Sequence, residues 1–417
     1  MNKEKKQPFY ILLLLILSAE LIFVLPFILP RIFRPTFLKV FELDNFELGT
    51  CFSAYGIVAL ISYFLGGFIA DRFRPNFLIA LSLVLTSLGA WFLISFPSYP
   101  YLVMIYSYWG FTTIFFFWAT MIKATRVWGG SSRQGFAYGV LDGGRGVVAV
   151  GIGVLGIYLF ASLLPDIGKG TLEQSREAFR PVIVTISLII FSLGVFSYFG
   201  LKRAGERPSN KKRNKSNDGF IDLLKDPKIA LLMLIVCSAY VGYKITGNYS
   251  LYANEILGYS EIESAKSGAF VLYVRPLVAI ILGIVSFKFK SERLIVVAFC
   301  LSLLGSGIFA TGLVQNVSHG MFLFSIGIGA LGIYGTRALY FALIEQTGVS
   351  LTSTGTVVGL VSVIGFTPDI FVGPWTGYLL DHNPGILGHQ YCFLILCVFS
   401  LVGLLALWLF NRLKSRA

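Results

Sequence analysis

Residues Gly67-Phe-Ile-Ala-Asp71-Arg72-Phe73-Arg74 find an echo 216 residues further on, in Gly283-Ile-Val-Ser-Phe287-Lys288-Phe289-Lys290. Each stretch closes one apolar run and precedes another, so the same helix boundary is written twice. The register holds beyond it, because Leu78-Ile79 falls on Leu294-Ile295 and Leu88-Gly89 on Leu304-Gly305. A second echo, Gly135-x-x-x-Gly139 with Gly355-x-x-x-Gly359, opens the fifth apolar segment of each half. It weighs less, since small residues at four-residue spacing recur in membrane helices.

Working outward from this repeat, the chain divides into apolar runs of about 20 residues, the length that crosses a bilayer as a helix. They are expected at 9–29, 49–69, 77–96, 101–122, 135–164 and 181–200, and again at 229–251, 268–287, 294–314, 321–344, 354–380 and 391–410. The halves are therefore 1–201 and 229–417, six segments each, joined by a basic linker over 202–228. The linker holds Lys211-Lys212-Arg213 and Lys215 and lacks apolar periodicity. It reads as a solvated tether or as a segment resting on anionic headgroups.

Composition agrees. Of 417 residues 56% are hydrophobic and only 13% charged, and the mean hydropathy is +0.77. A soluble domain needs more charge than that. The net charge of +13 does not indicate nucleic acid, because Lys and Arg gather in short loops as membrane topology requires. Lys3, Lys5, Lys6, Arg72, Arg74, Arg126, Arg133, Lys288, Lys290, Arg293, Arg412, Lys414 and Arg416 fall on one side, with the linker. Arg31, Arg34, Lys39, Lys169, Arg176, Arg180 and Lys266 are the thin scatter expected in loops of the other. Both termini are expected in the cytoplasm, with the chain spanning an inner membrane as a monomer. The apolar run after Phe9 is too long for a signal peptide and no small-residue cleavage site follows. Five cysteines and three histidines share no ligand spacing, so neither a disulfide framework nor a metal is assigned.

The loop Gly67-x-x-x-Asp71-Arg72-x-Arg74, between the second and third segments, resembles the signature loop of the major facilitator superfamily, and the resemblance covers essentially the whole chain. It departs from the pattern where Arg74-Pro75-Asn76 replaces a glycine and paired basic residues, and where Phe287 replaces the acidic residue of the second half. Trp118-Ala-Thr-Met-Ile-Lys123-Ala, Gly143-Gly-Arg145-Gly and Thr354-Gly-Thr-Val-Val-Gly-Leu-Val-Ser-Val-Ile-Gly-Phe-Thr-Pro-Asp369 are similar to the YihN-like branch, which borders on the sugar-phosphate permeases. The resemblance implies an all-α integral membrane fold of twelve transmembrane helices in two pseudo-symmetric six-helix bundles, rocking about a central site. It also implies a gating role for Asp71, Arg72 and Arg74, whose bland alternative is a charged loop that sets topology.

Charges inside the apolar runs are expensive and therefore informative. Glu20 stands at the middle of the first segment with no basic residue near it along its own helix. A desolvated carboxylate can carry a proton at physiological pH, so Glu20 is a proton-coupling or substrate-contact candidate, or else a structural hydrogen bond. Lys244, Arg275 and Arg337 lie in the seventh, eighth and tenth segments. Together they suit an anionic group, a guanidinium offering two parallel donors. Alternatively, Lys244 and Arg275 pair with Glu20 or Asp369 to hold the halves together, and Arg337 snorkels to the interface. Asp369, after Pro368, reads as a cation partner or a second proton site. Asp142 and Arg145 share a helix face at i, i+3 and read as a structural or gating pair within a glycine-rich packing seam. Tyr243, Tyr340 and Trp375 are candidate wall residues, and Phe115-Phe-Phe-Trp118 reads as bundle core and lipid contact and not as a ligand cage.

The expected function is proton-coupled secondary transport of a small organic anion of sugar-phosphate, sulfonate or carboxylate type. No cofactor is expected beyond a proton or ion gradient. An exporter of amphipathic compounds would show broad drug resistance instead, and a transporter-like metabolite sensor would bind without flux. A membrane enzyme finds no nucleophile–base pair or phosphate-cradling loop in the sequence.

Overall fold

A computed structural model describes residues 7–129, 134–164, 170–202, 225–285, 288–315, 317–347 and 354–416. Among the described residues twelve helices are long and apolar enough to span a membrane. In chain order they are α1 Phe9–Ile32, α2 Asn45–Ala70, α3 Pro75–Leu93, α4 Tyr99–Gly129, α5 Gly139–Leu163 and α6 Leu172–Gly200, then α7 Pro227–Glu255, α8 Glu261–Leu282, α9 Ser291–Ala310, α10 His319–Ile344, α11 Val357–His382 and α12 Ile386–Lys414. The expected six-plus-six arrangement stands, with shifted boundaries. The sixth span starts well before Pro181 and carries that proline inside it, and the eighth starts at Glu261 instead of Gly268.

One expectation is overturned. Arg31 and Arg34, read as loop residues, are buried at 5% and 6% exposure. Three prolines, Pro26, Pro30 and Pro35, suggest a helix end there. Instead α1 widens around Pro26 into a turn over Val24–Ile28 and continues to Ile32, and a short helix Arg34–Phe41 follows. A widened turn accommodates a proline that an ordinary helix interior rejects.

Such interruptions recur at mid-chain depth. In α4 a wide turn covers Thr112–Trp118, α7 tightens over Thr246–Asn248, and α11 breaks at Phe366 and Thr367 before Pro368. Irregular backbone is tolerated at membrane depth where protein or a watery cavity surrounds it, and interrupted helices are where transport proteins place ligands. Side chains turned outward, among them Phe64, Phe68, Phe92, Tyr158 and Phe196, are apolar and exposed, as contact with lipid tails requires.

Two seams join the bundles. In the first, Gly49 of α2 lies so close to Gly373 of α11 that a Cβ on either would strike the other's backbone. Only glycine permits that approach. In the second, α5 meets α8: a Cβ at Gly146 would stand 3.1 Å from Pro276, and one at Gly143 3.7 Å from Ala279. Four residues further along the same face, nothing among the described residues lies within 4 Å of Gly139. The α5–α8 seam therefore loosens toward the face that carries Phe9 and Lys414, here called the terminal face.

The opposite face is tied shut. Asp381 of α11 accepts hydrogen bonds from the backbone N–H of Asn45 (3.2 Å) and of Phe46 (2.7 Å) and from Asn45 Nδ2 (3.0 Å), capping the start of α2 from the other bundle. A carboxylate is well suited to the unpaired N–H groups and positive dipole end of a helix. Across the interface Glu261 of α8, 6% exposed, accepts from Thr36 Oγ1 (2.9 Å), Lys39 Nζ (2.7 Å) and Ser175 Oγ (3.2 Å) of the first bundle.

Candidate functional site

Midway between these faces, the largely buried charges sort into three groups, with the Asp142 side chain half exposed. The first crosses the bundle boundary. Arg275 of α8 places Nη1 3.1 Å from Glu20 Oε1 on α1 and Nη2 2.7 Å from Asp142 Oδ1 on α5. Arg145 of α5 donates from Nε to Glu20 Oε2 at 2.8 Å, while its i, i+3 contact with Asp142 is long at 3.9 Å. Two cations face two carboxylates, so this group is neutral.

The second group lies in the second bundle. Lys244 Nζ of α7 meets Asp369 Oδ1 of α11 at 2.8 Å, and the Tyr240 hydroxyl donates to the same carboxylate at 3.1 Å. The ammonium also sits 4.3 Å from the centre of the Phe27 ring and 5.0 Å from that of Phe52, both in the first bundle. This pair too is neutral.

The third group is not. Arg31 of α1 and Arg337 of α10 both lie over the Tyr243 ring, their guanidinium carbons 4.2 Å and 3.7 Å from its centre. Among the described residues neither forms an ion pair, and Arg337 Nη1 is buried without a hydrogen-bond partner. An aromatic face is worth ~2 kcal/mol to a desolvated cation. The ring holds the pair together without neutralising it. Within these three groups five cations (Arg31, Arg145, Lys244, Arg275, Arg337) face three carboxylates (Glu20, Asp142, Asp369), and the surplus resides on Arg31 and Arg337, to which Arg34 adds a further buried cation.

Beside them opens a cavity lined from both bundles by Phe27, Arg31, Arg34, Phe52, Lys244 and Asn248, with Thr376 and the Gly49–Gly373 contact at its edge. Among the described residues its lining includes no carboxylate. Arg34 Nε and Asn248 Nδ2 are buried donors with no partner, although Arg34 Nη2 donates to Asn45 Oδ1 at 2.9 Å. A concave site with several convergent donors and an aromatic wall can hold the head of an anion.

The residues singled out by sequence thus divide. Glu20 has cations on two sides, each from another helix. Arg275 pairs with Glu20 across the bundle boundary, as the bridging alternative has it, whereas Lys244 pairs with Asp369 inside the second bundle and bridges nothing. Arg337 turns inward over Tyr243 instead of snorkelling. Tyr243 is central, and Tyr340 is buried. Trp375 is 45% exposed and does not line the cavity. Arg72 and Arg74 are exposed on the terminal face. The Asp71 side chain, Phe287 and the linker's Lys211-Lys212-Arg213 lie outside the described residues. Sequence reasoning missed Arg31 and Arg34. Their signal was present: each follows an apolar run with only single-residue gaps, and no acidic residue stands nearby before Glu42.

Two six-helix bundles around a charged, donor-lined centre define a polytopic membrane transport protein. The Major Facilitator Superfamily family model matches residues 10–366, and the chain belongs to that family. It is 24% identical over 415 residues to the inner membrane protein YihN of Escherichia coli, covering 97% of this chain and 95% of that one. To the probable nitrate/nitrite antiporter NarK1 of Thermus thermophilus it is 25% identical over 342 residues, covering 75% and 74%. Among solved structures it shares the fold of a bacterial homolog to the human lysosomal transporter Spinster, in an inward-facing and unoccupied conformation. There the TM-score is 0.75 at 18% identity, over 98% of this chain and 97% of the other.

Proposed function

We propose that the chain is a secondary transporter of a small organic anion of sugar-phosphate, sulfonate or carboxylate type, working by alternating access in an inner membrane and coupled to protons. The observation that carries the reading is the uncompensated pair Arg31 and Arg337, one from each bundle, against Tyr243. Burying unpaired charge at membrane depth costs several kcal/mol, and an anion bound between the bundles removes that cost. Because the two arginines come from different bundles, the anion also draws the bundles together. The named nitrate/nitrite chemistry of one relative is in keeping with an anion.

Sidedness follows from the basic residues. Arg72, Arg74, Lys288 and Lys290 lie on the terminal face, which the positive-inside rule makes cytoplasmic. The open α5–α8 seam at Gly139 and the ties at Asp381 and Glu261 then describe an inward-facing state. The test is counterflow exchange in proteoliposomes with labelled sugar phosphates, sulfonates and carboxylates. Saturable exchange that is lost in Arg31→Met and in Arg337→Met is expected. No flux for any of these anions, or flux that survives both substitutions, contradicts the reading.

A further inference from the structure

Lys244 has two sides. One meets Asp369, while the other lines the cavity between Phe27 and Phe52. Asp369 itself does not line the cavity, although Gly373, one helical turn further along α11, does. An anion in the cavity therefore approaches Lys244 from the side away from its carboxylate. Lys is a compact charge on a flexible four-carbon stem, so it can turn to the newcomer without a helix moving.

The consequence for Asp369 is electrostatic. With Lys244 and Asp369 paired, the site is neutral. An anion that takes Lys244 leaves one uncompensated negative charge beside a carboxylate only 8% exposed. The other titratable groups around Asp369 are Tyr240 on α7, which donates to it, and Tyr55 and Tyr63 on α2. These three phenols supply hydrogen bonds but no positive charge, and the Arg337 guanidinium of α10 stands behind Tyr240, 5.7 Å from its ring centre, with no ion pair to Asp369 among the described residues. On its α2 side Asp369 meets Gly56, where a Cβ would stand 2.9 Å from its backbone, so no cation enters from there. A desolvated carboxylate without a counter-charge is more stable as the acid.

We infer that Asp369 is the proton-carrying residue, and that anion and proton are coupled by partner exchange at Lys244. The anion takes the ammonium, one proton from water adds to a carboxylate oxygen of Asp369, and departure of the anion restores the Lys244–Asp369 pair and expels the proton. The step conserves charge at the site, breaks one ion pair and forms another. It rests on the anion reading above and adds a residue and a stoichiometry of one proton per bound anion.

The first arm of the test needs no transported substrate. Infrared difference spectra at neutral pH should show a carboxylic-acid carbonyl band in Lys244→Met that is missing from the Lys244→Met, Asp369→Asn double variant, and from the parent without anion. A Lys244→Met protein whose Asp369 stays ionised overturns the assignment. The double variant keeps the site uncharged, which guards against unfolding by an unpaired buried charge. The second arm adds sulfate, which does not titrate near neutrality, to purified protein in weak buffer with a pH dye. Uptake of about one proton per sulfate is expected in the parent, and binding without proton uptake in Asp369→Asn. Sulfate binding to the parent with no proton uptake overturns the exchange. Absence of sulfate binding counts against the anion reading instead, and the carbonyl band still decides the role of Asp369.

Discussion

Arg275 reaches across the bundle boundary to Glu20, Nη1 to Oε1 at 3.1 Å, while Arg145 holds the same carboxylate from within the first bundle at 2.8 Å. Under the alternating access proposed above, Arg145 moves with Glu20 and Arg275 does not, so Glu20 keeps a counter-charge while Arg275 is the partner that changes.

Arg275→Met should cost more than Glu20→Gln. Removing Arg275 leaves Glu20 and Asp142 with one cation between them, and breaking a buried pair from one side costs roughly 3–5 kcal/mol. Glu20→Gln still leaves Arg275 on Asp142 at 2.7 Å. Melting temperatures in detergent should rank parent, then Glu20→Gln, then Arg275→Met, and the reverse order of the two variants would refute the network as described.

The ties on the closed face should act as a gate. Asp381→Asn weakens the cap on α2, because a neutral amide loses the charge that faces the helix start, and Glu261→Gln removes the ion pair with Lys39, which keeps its bond to the Gly170 carbonyl. In a background without the native cysteines, a cysteine at Thr376 on the cavity wall should react faster with a membrane-impermeant reagent added outside once either substitution is made. An unchanged rate in the combined variant would show that these bonds do not hold the face shut.

Gly49 and Gly373 make a sharper version of the same prediction. Gly49→Val places a branched side chain against the Gly373 backbone, where no flexible atom can yield. The closed form of this face should be excluded while each bundle keeps its own core. Expected is a folded, helical protein whose Thr376→Cys site is labelled from outside and whose transport is lost. Transport at the parental rate would mean the close approach is dispensable.

Replacing Arg31 or Arg337 by Lys should fail to restore function. A guanidinium gives planar, paired donors and stacks on Tyr243, which an ammonium does not. Charge-assisted hydrogen bonds to a ligand are worth about 1.5–3 kcal/mol, so apparent affinity for a bound anion should fall roughly 10- to 150-fold even though the charge is kept. Titration of the thermal shift with sulfate measures this directly.

How much of this was legible in the sequence follows from distance along the chain. The spans were legible because burial in lipid writes itself into consecutive residues, and the two halves because Gly67–Arg74 and Gly283–Lys290 repeat in register. Pairings were not. Glu20 finds Arg145 and Arg275, 125 and 255 positions away, and no local pattern connects them. Asp381 on the first turn of α2 spans 336 positions. Arg31 reads as a loop residue because the first apolar run closes at Leu29, and here α1 bends around Pro26 and goes on to Ile32. The charge surplus could be counted from sequence only after that correction, since it depends on moving Arg31 from a loop into the centre.

The most direct measurement is the melting temperature of the purified protein against a panel of phosphorylated, sulfonated and carboxylated small molecules, in the parent and in the Arg31→Met, Arg337→Met double variant. A ligand that binds only the folded form must raise the transition. At least one class of anion should stabilise the parent in a concentration-dependent way and leave the double variant unmoved. If no anion shifts the parent, or if the double variant is stabilised equally, the two arginines on Tyr243 do not form the substrate site.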